Sequence, residues 1–217
     1  MIRPMNTPSR LVSARCRVAP LLGLLAIACA SCATSVTVSG HIARPTQVDA
    51  SAAPVRLEDA IVYVECDGPM LDRWTPSMRR DVEIAFAHGR LEPRSIAAIA
   101  GAQLHVTNRD SVFHRPFSVS PGGAFDAQAL APGAQRTVAL PRSGMVRVFC
   151  EHHKEESADV LVLTHSAWTH PDAAGRFTLP ALPRGHYRIH VWHPQLGDHV
   201  EAIDVVKPGP IAMDVKF

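Results

Sequence analysis

Three side chains of this sequence have the types and spacing of metal ligands. Cys150 closes a short apolar run, and His153 follows it three residues later. His114 lies 36 residues upstream of the cysteine, so it must come from a different strand or loop. A soft thiolate and two imidazoles from separate elements form the ligand set that holds copper in a trigonal site. The spacing therefore predicts a mononuclear copper site built from His114, Cys150 and His153.

A disulfide between Cys66 and Cys150 is the main alternative to this site. The other three of the five cysteines, Cys16, Cys29 and Cys32, fall in the N-terminal segment. In an oxidising compartment, the two that remain would more often pair than stay free. A disulfide gives no role to the two histidines, however, and their presence favours the metal site.

The first 32 residues have the organisation of an export signal. Four arginines precede an apolar run over 18–30, and small residues follow it. The run is too short to span a bilayer core of about 30 Å, and it fits a secretory signal. We expect a periplasmic protein. Cleavage near Ala28-Cys29-Ala30 and a lipid anchor at Cys29 both stay open, since the preceding residues form an imperfect lipobox.

The charge of the chain argues against nucleic acid as a partner. The whole chain has a formal net charge of +2, and loss of the four signal arginines brings the remainder to about −2. No basic stripe is left for a phosphate backbone. We expect no nucleic-acid partner, and membrane contact only through the possible anchor at Cys29.

The region after the signal has the pattern of an all-β protein. Short runs rich in β-branched and aromatic residues alternate with Gly, Pro, Asn and Asp, which set turn dihedrals. Tyr187, Ile189 and Val191 alternate with Arg188 and His190, as in a half-buried strand. The runs that predict strands are 36–38, 60–64, 82–86, 103–107, 117–119, 136–140, 146–149, 160–163, 176–179, 187–192 and 202–206. This pattern predicts a β-sandwich architecture.

Residues 81–164 resemble a cupredoxin domain of the plastocyanin and amicyanin type. The matching features include Val82-Glu-Ile-Ala-Phe, Asn108-x-Asp110, His114 before Phe117-Ser-Val-Ser, and Gly144-x-Val-x-Val-Phe-Cys150 before His153. The resemblance implies a Greek-key β-sandwich in which His114, Cys150 and His153 bind copper. It also implies an electron carrier that serves a redox partner protein.

Two positions depart from this family pattern. The family places a weak axial methionine where this chain has Glu156. A carboxylate is a harder donor than a thioether and favours Cu(II), so Glu156 as a ligand predicts a lower potential and an altered spectrum. Glu156 as an exposed surface acid, beside three-coordinate copper, is the alternative. Arg115 stands where related domains often carry an asparagine that braces the ligand loop.

The flanking segments resemble a carboxypeptidase-regulatory or transthyretin-like sandwich. Val38-Ser-Gly-His-Ile-Ala and Ala60-Ile-Val-Tyr-Val are similar to its start, and Asp172-x-x-Gly175-Arg-Phe-Thr-Leu is similar to a later part. An N-terminal hairpin alone would be marginal in water. We therefore predict a cupredoxin domain at 81–164, inserted into one split sandwich made of 33–68 and 165–217, with a linker at 69–80.

The C-terminal part is rich in histidine, but the spacing is not that of a zinc motif. We expect these side chains at the surface or in turns: His165, His170, His186, His190, His193 and His199.

Three functions compete at this stage. The first is a periplasmic, copper-binding electron carrier that is not an enzyme, since the common catalytic motifs are missing from the sequence. The second is a copper chaperone or sensor, in which Glu156 and its neighbours His152 and Glu155 help to exchange the ion. The third is a metal-free envelope interaction module that is closed by a Cys66–Cys150 disulfide.

Overall fold

The structure, a computed structural model, describes residues 35–45, 54–65 and 80–217. The predicted signal at 1–32 with Cys29, most of the predicted linker at 69–80, and Cys66 lie outside these ranges. The described residues form strands and loops with one 3-10 turn, Leu57–Asp59, which confirms the predicted all-β fold class. No helix within these ranges is long and apolar enough to cross a bilayer.

The described ranges contain sixteen strands. They are β1 (Val38–Ile42), β2 (Ile61–Glu65), β3 (Val82–Ala87), β4 (Arg90–Glu92), β5 (Ser95–Ile99), β6 (Gln103–Asn108), β7 (Pro116–Ser118), β8 (Phe125–Asp126), β9 (Gln135–Ala139), β10 (Gly144–Cys150), β11 (Ser157–Leu163), β12 (Trp168–Thr169), β13 (Arg176–Thr178), β14 (Gly185–His193), β15 (Gly197–Val205) and β16 (Ile211–Val215). Every run that was predicted to be a strand overlaps one of them.

The segments before and after the central region share two sheets. One sheet has the order β13-β1-β16, with β1 and β16 parallel, and the other has the order β12-β2-β14-β15. Side chains from both sheets meet in one hydrophobic core, which includes Val38, Val62, Ile189 and Val215. The strands β1 and β2 are therefore held by the C-terminal part of the chain. The domain boundaries and the transthyretin-like resemblance stay predictions.

The central region forms two further sheets, β4-β3-β6-β9 and β5-β11-β10-β7-β8. The pairs β3–β6 and β5–β11 are parallel, and the other pairs are antiparallel. A second core includes Ile84, Leu104, Val148 and Cys150. Because alternate residues of a strand face the same side, the Cys150 side chain points into the core together with Val146 and Val148.

The strand β11 is buried on both of its faces. Val160 and Val162 contribute to the central core, whereas Leu161 and Leu163 pack against Ile61 of β2 in a third, smaller cluster. The two pairs of sheets are thus in contact through apolar side chains. Burial on both faces also explains why 160–163 is a continuous apolar run rather than an alternating one.

The strands β4, β5, β8, β12 and β16 were not predicted from the sequence. In β5, the neighbouring Ala97 and Ala98 form strands weakly on their own. This strand depends on parallel pairing with β11, which joins residues far apart in the chain.

Buried Asn108, at the end of β6, fixes the loop that carries His114. Its Nδ2 donates to the carbonyls of Val112 at 2.8 Å and Leu130 at 2.9 Å. Its Oδ1 accepts from the N–H of Asp110 at 2.9 Å. The backbones of His114 and Leu130 exchange two hydrogen bonds, of 3.2 and 2.7 Å. The Asn108 side chain therefore connects the segment at 110–114 to the segment at Leu130 through hydrogen bonds.

Two of the C-terminal histidines are buried. His165 lies in the bend between β11 and β12, which agrees with the prediction of a surface or turn position, whereas His193 lies in β14, and the prediction was wrong for it. His165 is 5% exposed and His193 is fully buried. Nε2 of His193 donates to the carbonyl of Arg56 at 3.0 Å, and its Nδ1 accepts from the N–H of Gln195 at 3.1 Å. Burial lowers the pKa of His193 below its ordinary value, and it does the same for His165 and His170.

Asn108→Ala should destabilise the protein strongly, because two carbonyls and one N–H lose their partner. A buried group left unpaired costs about 1–3 kcal/mol, so we expect the free energy of unfolding to fall by at least about 2 kcal/mol. Urea unfolding followed by tryptophan fluorescence measures this loss. The matched control is Thr107→Ala, which removes a hydroxyl whose hydrogen bonds to Glu83 and Gln135 are exposed. Equal losses in the two variants would contradict the role given to Asn108.

His193→Gln should make stability less sensitive to acid. A histidine with a lowered pKa in the folded state opposes folding once the pH falls below its ordinary value of 6.5. The free energy of unfolding of the wild type should therefore decrease between about pH 7 and about pH 5. Glutamine can form both hydrogen bonds and does not titrate. The free energy of unfolding of the variant should therefore decrease less steeply than that of the wild type. Exposed His41→Gln is the matched control for the loss of a histidine. An unchanged slope for His193→Gln would refute the lowered pKa of His193.

Candidate metal centre

His114, Cys150, His153 and Glu156 each direct one donor atom into a common space. Sγ of Cys150 lies 3.6 Å from Nδ1 of His114 and 3.5 Å from Nδ1 of His153. Oε2 of Glu156 lies 2.9 and 3.3 Å from the same two nitrogens. All four donor atoms lie within 4.8 Å of one another. The structure therefore brings together the four residues that the sequence singled out.

These separations are those of donors that share a single ion. Tetrahedral zinc sites have bonds of about 2.0–2.1 Å to nitrogen and about 2.3 Å to sulfur, which separates nitrogen from sulfur by about 3.6 Å. The nitrogen–sulfur distances of 3.6 and 3.5 Å agree with this value. The separations of the cysteine from the two histidines are thus compatible with a first-row metal ion bound between these three side chains.

The carboxylate of Glu156 supplies an independent indication of a cation. Its Oε2 is buried and has no hydrogen-bond partner in the described structure, because the approach to His114 Nδ1 lacks hydrogen-bond geometry. Leaving such an oxygen unpaired is costly, and a bound cation would remove that cost. Glu156 is only 4% exposed, which excludes the alternative of a surface acid.

The ligand loop at 150–156 folds back on itself between β10 and β11. The N–H of Cys150 donates to the carbonyl of Glu156 at 3.1 Å, and the N–H of Glu156 donates to the carbonyl of His153 at 3.1 Å. This turn holds Cys150, His153 and Glu156 at one edge of the central core. Cys150 is a free, buried cysteine, whereas its alternative partner Cys66 lies outside the described residues.

The two histidines differ in their exposure to solvent. The side chain of His114 is 1% exposed, and the ring of Phe86 stacks on it at 4.0 Å with an interplanar angle of 7°. The side chain of His153 is 41% exposed. Its neighbour His152 is exposed, as expected for a residue that faces away from the site. His153 is therefore the accessible edge of the cluster, and His114 is its inner anchor.

Arg115 connects the two ligand-bearing loops. Its carbonyl accepts from the N–H of Glu151 at 3.0 Å, and its guanidinium pairs with Glu151 at 2.7 Å and with Asp126 at 2.6 Å. Hydrogen bonding to Asp126 raises the pKa of Arg115, and the same bond lowers the pKa of Asp126. Arginine at this position thus joins the loops by another route than the asparagine of the family pattern.

Two contacts of His114 were missed at the level of sequence. Oδ2 of Asp110 lies 3.2 Å from Nε2 of His114, and Phe86 stacks on the ring. An acidic residue four positions before a histidine indicates a contact in a helix, but no comparable rule exists for a loop. Asp110 was noted only as part of the family pattern.

No family model and no curated protein matches this chain. Among solved structures, the purple cupredoxin from Nitrosopumilus maritimus is similar at 22% identity, over 38% of this chain and 100% of that chain, with a TM-score of 0.34. A copper(I) form of an amicyanin variant aligns at 15% identity over 38% of this chain and 82% of its own, with a TM-score of 0.36. A copper-containing nitrite reductase from Thermus scotoductus has the same identity and TM-score, over 38% of this chain and 22% of its own. The similarity to these structures is therefore confined to part of the chain.

Proposed function

We propose that this protein is a cupredoxin-like, copper-binding electron carrier of the periplasm. The observation that supports this most directly is the convergence of one thiolate, two imidazoles and one carboxylate within 4.8 Å. Thiolate and imidazole together suit copper among the first-row metals. Copper held by His114, Cys150, His153 and Glu156 would supply one-electron exchange between its two oxidation states.

The burial of the donors supports electron transfer rather than catalysis at the metal. His114 is 0% exposed, and Cys150 and Glu156 are each 4% exposed. Catalytic metal sites keep an open position for water or substrate, whereas four protein donors around one ion leave none in a tetrahedral arrangement. The same enclosure limits the movement of the ligands when the charge of the ion changes.

An apolar surface beside His153 fits a redox partner protein. Val112 and Phe113, on the loop before His114, are 50% and 59% exposed. Val112 and His153 line the same open groove. Electron-transfer complexes have small, weak interfaces, and an exposed apolar patch marks such a contact. We propose that electrons enter and leave through His153 at this surface.

The export signal and the split domain organisation belong to the same proposal. The described strands β1 and β2 share their sheets with β12 to β16, whereas β3 to β11 form the other two sheets. This distribution supports a central domain at 81–164 between two parts of one flanking sandwich.

A copper chaperone or sensor is the second candidate. The observation that favours it is the exposure of His152 and Glu155 beside the half-exposed ligand His153. These side chains offer donor atoms along a path from solvent to the ion. Slow electron exchange together with rapid loss of copper to a competing chelator would favour this role over that of a carrier.

Loading with Cu(II) should give the protein strong visible absorption, because a thiolate bound to copper donates charge to it. Cys150→Ser should abolish this band, since it removes the sulfur. The matched control is Cys66→Ser, which leaves the four donors in place and should keep the band. A colourless copper-loaded wild type whose mass shows an internal disulfide would contradict the proposal and favour the metal-free module.

Glu156→Met should raise the reduction potential, because a neutral thioether replaces an anionic oxygen that favours Cu(II). Each tenfold loss of preference for Cu(II) over Cu(I) corresponds to about 59 mV, and we expect at least one such step. Protein-film voltammetry measures the potential, with exposed Glu155→Met as the control. Equal potentials for wild type and Glu156→Met would show that Glu156 does not contact the ion.

A further inference from the structure

We propose that Asp110 is a positioning residue, which selects the nitrogen of His114 that faces the metal and adds a negative charge beside the site. This inference rests on the proposed function, because it concerns the same ligands. Oδ2 of Asp110 lies 3.2 Å from Nε2 of His114, and the Asp110 side chain is only 16% exposed. Asp110 is not one of the four convergent donors.

The contact determines where the hydrogen of the imidazole lies. A carboxylate accepts hydrogen bonds and does not donate them. Both ring nitrogens lie near a carboxylate, but only the contact between Nε2 and Asp110 has hydrogen-bond geometry. The hydrogen of neutral His114 therefore lies on Nε2, which donates it to Asp110. The lone pair of Nδ1 is left to face Sγ of Cys150 and Oε2 of Glu156. Outer carboxylates fix the tautomer and orientation of metal-binding histidines in this way.

Asp110 is itself held in place by the surrounding loop. Its N–H donates to Oδ1 of Asn108 at 2.9 Å, and Asn108 also binds the carbonyls of Val112 and Leu130. Phe86 covers one face of the His114 ring. A turn of the ring that exchanged its two nitrogens would break the bond to Asp110 and place the hydrogen among the donors.

The Asp110 carboxylate also changes the balance of charge around the ion. The Cys150 thiolate and the Glu156 carboxylate together neutralise a divalent ion, but they leave a negative charge beside a monovalent one. Asp110 adds another negative charge behind His114. Buried charges are screened little by salt, so the three anions together favour Cu(II) over Cu(I).

Two substitutions separate the hydrogen bond from the charge. Asp110→Ala removes both, and it should weaken Zn(II) and Cu(II) binding by about 10–100-fold, the usual effect of losing such a partner. Asp110→Asn keeps an accepting oxygen but loses the charge. It should bind Zn(II) more tightly than the alanine variant and have a reduction potential above that of the wild type. Glu201→Gln removes a charge from an exposed position of β15, outside the four donors, and should change neither property.

The tautomer of His114 can be measured directly, and it would not change if Asp110 served only to stabilise the fold. In the zinc-loaded wild type, nitrogen-15 NMR should show His114 with hydrogen on Nε2 and metal on Nδ1. In Asp110→Ala, this single tautomer and the slow exchange of its Nε2–H should be lost. Thermal unfolding of the metal-free variants tests whether they fold. If the alanine variant does not fold, the potential of Asp110→Asn decides.

The inference is overturned if Asp110→Asn has the potential of Glu201→Gln, or if His114 of the wild type carries its hydrogen on Nδ1. It is also overturned if a folded Asp110→Ala binds Zn(II) as tightly as the wild type. In each case a wild type that still binds copper leaves the proposed function intact. If the wild type binds neither Cu(II) nor Zn(II), both the proposed function and the inference on Asp110 are overturned. Metal binding by the wild type is measured before any variant is compared.

Discussion

The buried carboxylate of Glu156 is the constraint on which the centre depends. Removing an ionised group from water costs several kcal/mol unless a partner of opposite charge or a hydrogen bond compensates it. Oε2 of Glu156 has no hydrogen bond in the described structure, and the Nδ1 atoms of His114 and His153 lie 2.9 and 3.3 Å from it. A divalent ion among these donors would compensate the carboxylate and the Cys150 thiolate together. Binding of such an ion would therefore be linked to the stability of this edge of the fold.

The fold meets this constraint by fixing the ligands from opposite sides. His114 is held by the stacked ring of Phe86 and by a loop that depends on Asn108. Cys150 and Glu156 are held by the hydrogen bonds of their own turn. Only His153 combines a donor atom in the cluster with substantial exposure to solvent. The proposed electron carrier would need this combination, because an enclosed ion would have to exchange electrons with a partner through one exposed ligand.

The parts of the centre that could be predicted from sequence are those set by local spacing. Cys150 ends a strand with clear alternation, and His153 follows within the same turn. The orientation of Glu156 could not be predicted, because it depends on how the turn closes against His114, which belongs to another loop. Asp110 was missed although it lies in the same loop as His114. Its role follows from a side-chain contact across a loop, for which no periodic pattern exists.

The same limit applied to the fold. Runs with β-branched residues and period-two alternation were recognised as strands, because that pattern reflects one buried face. β5 was missed, since its alanines become a strand only through pairing with β11. The burial of His193 also depends on a distant residue, because its Nε2 requires the carbonyl of Arg56. In each case the missing information was the identity of a partner far away in sequence.

The contact between the two pairs of sheets gives the flanking segments a role in the metal centre. β11 begins at Ser157, directly after Glu156, and is buried on both faces. On one face, Val160 and Val162 pack into the core that contains Cys150, and on the other, Leu161 and Leu163 pack against Ile61 of β2. A strand fixed on both faces has little freedom to shift along its axis, so the adjoining turn keeps its shape. The flanking sheets therefore restrain the loop that carries three of the four candidate donors, although they contribute no donor to the cluster.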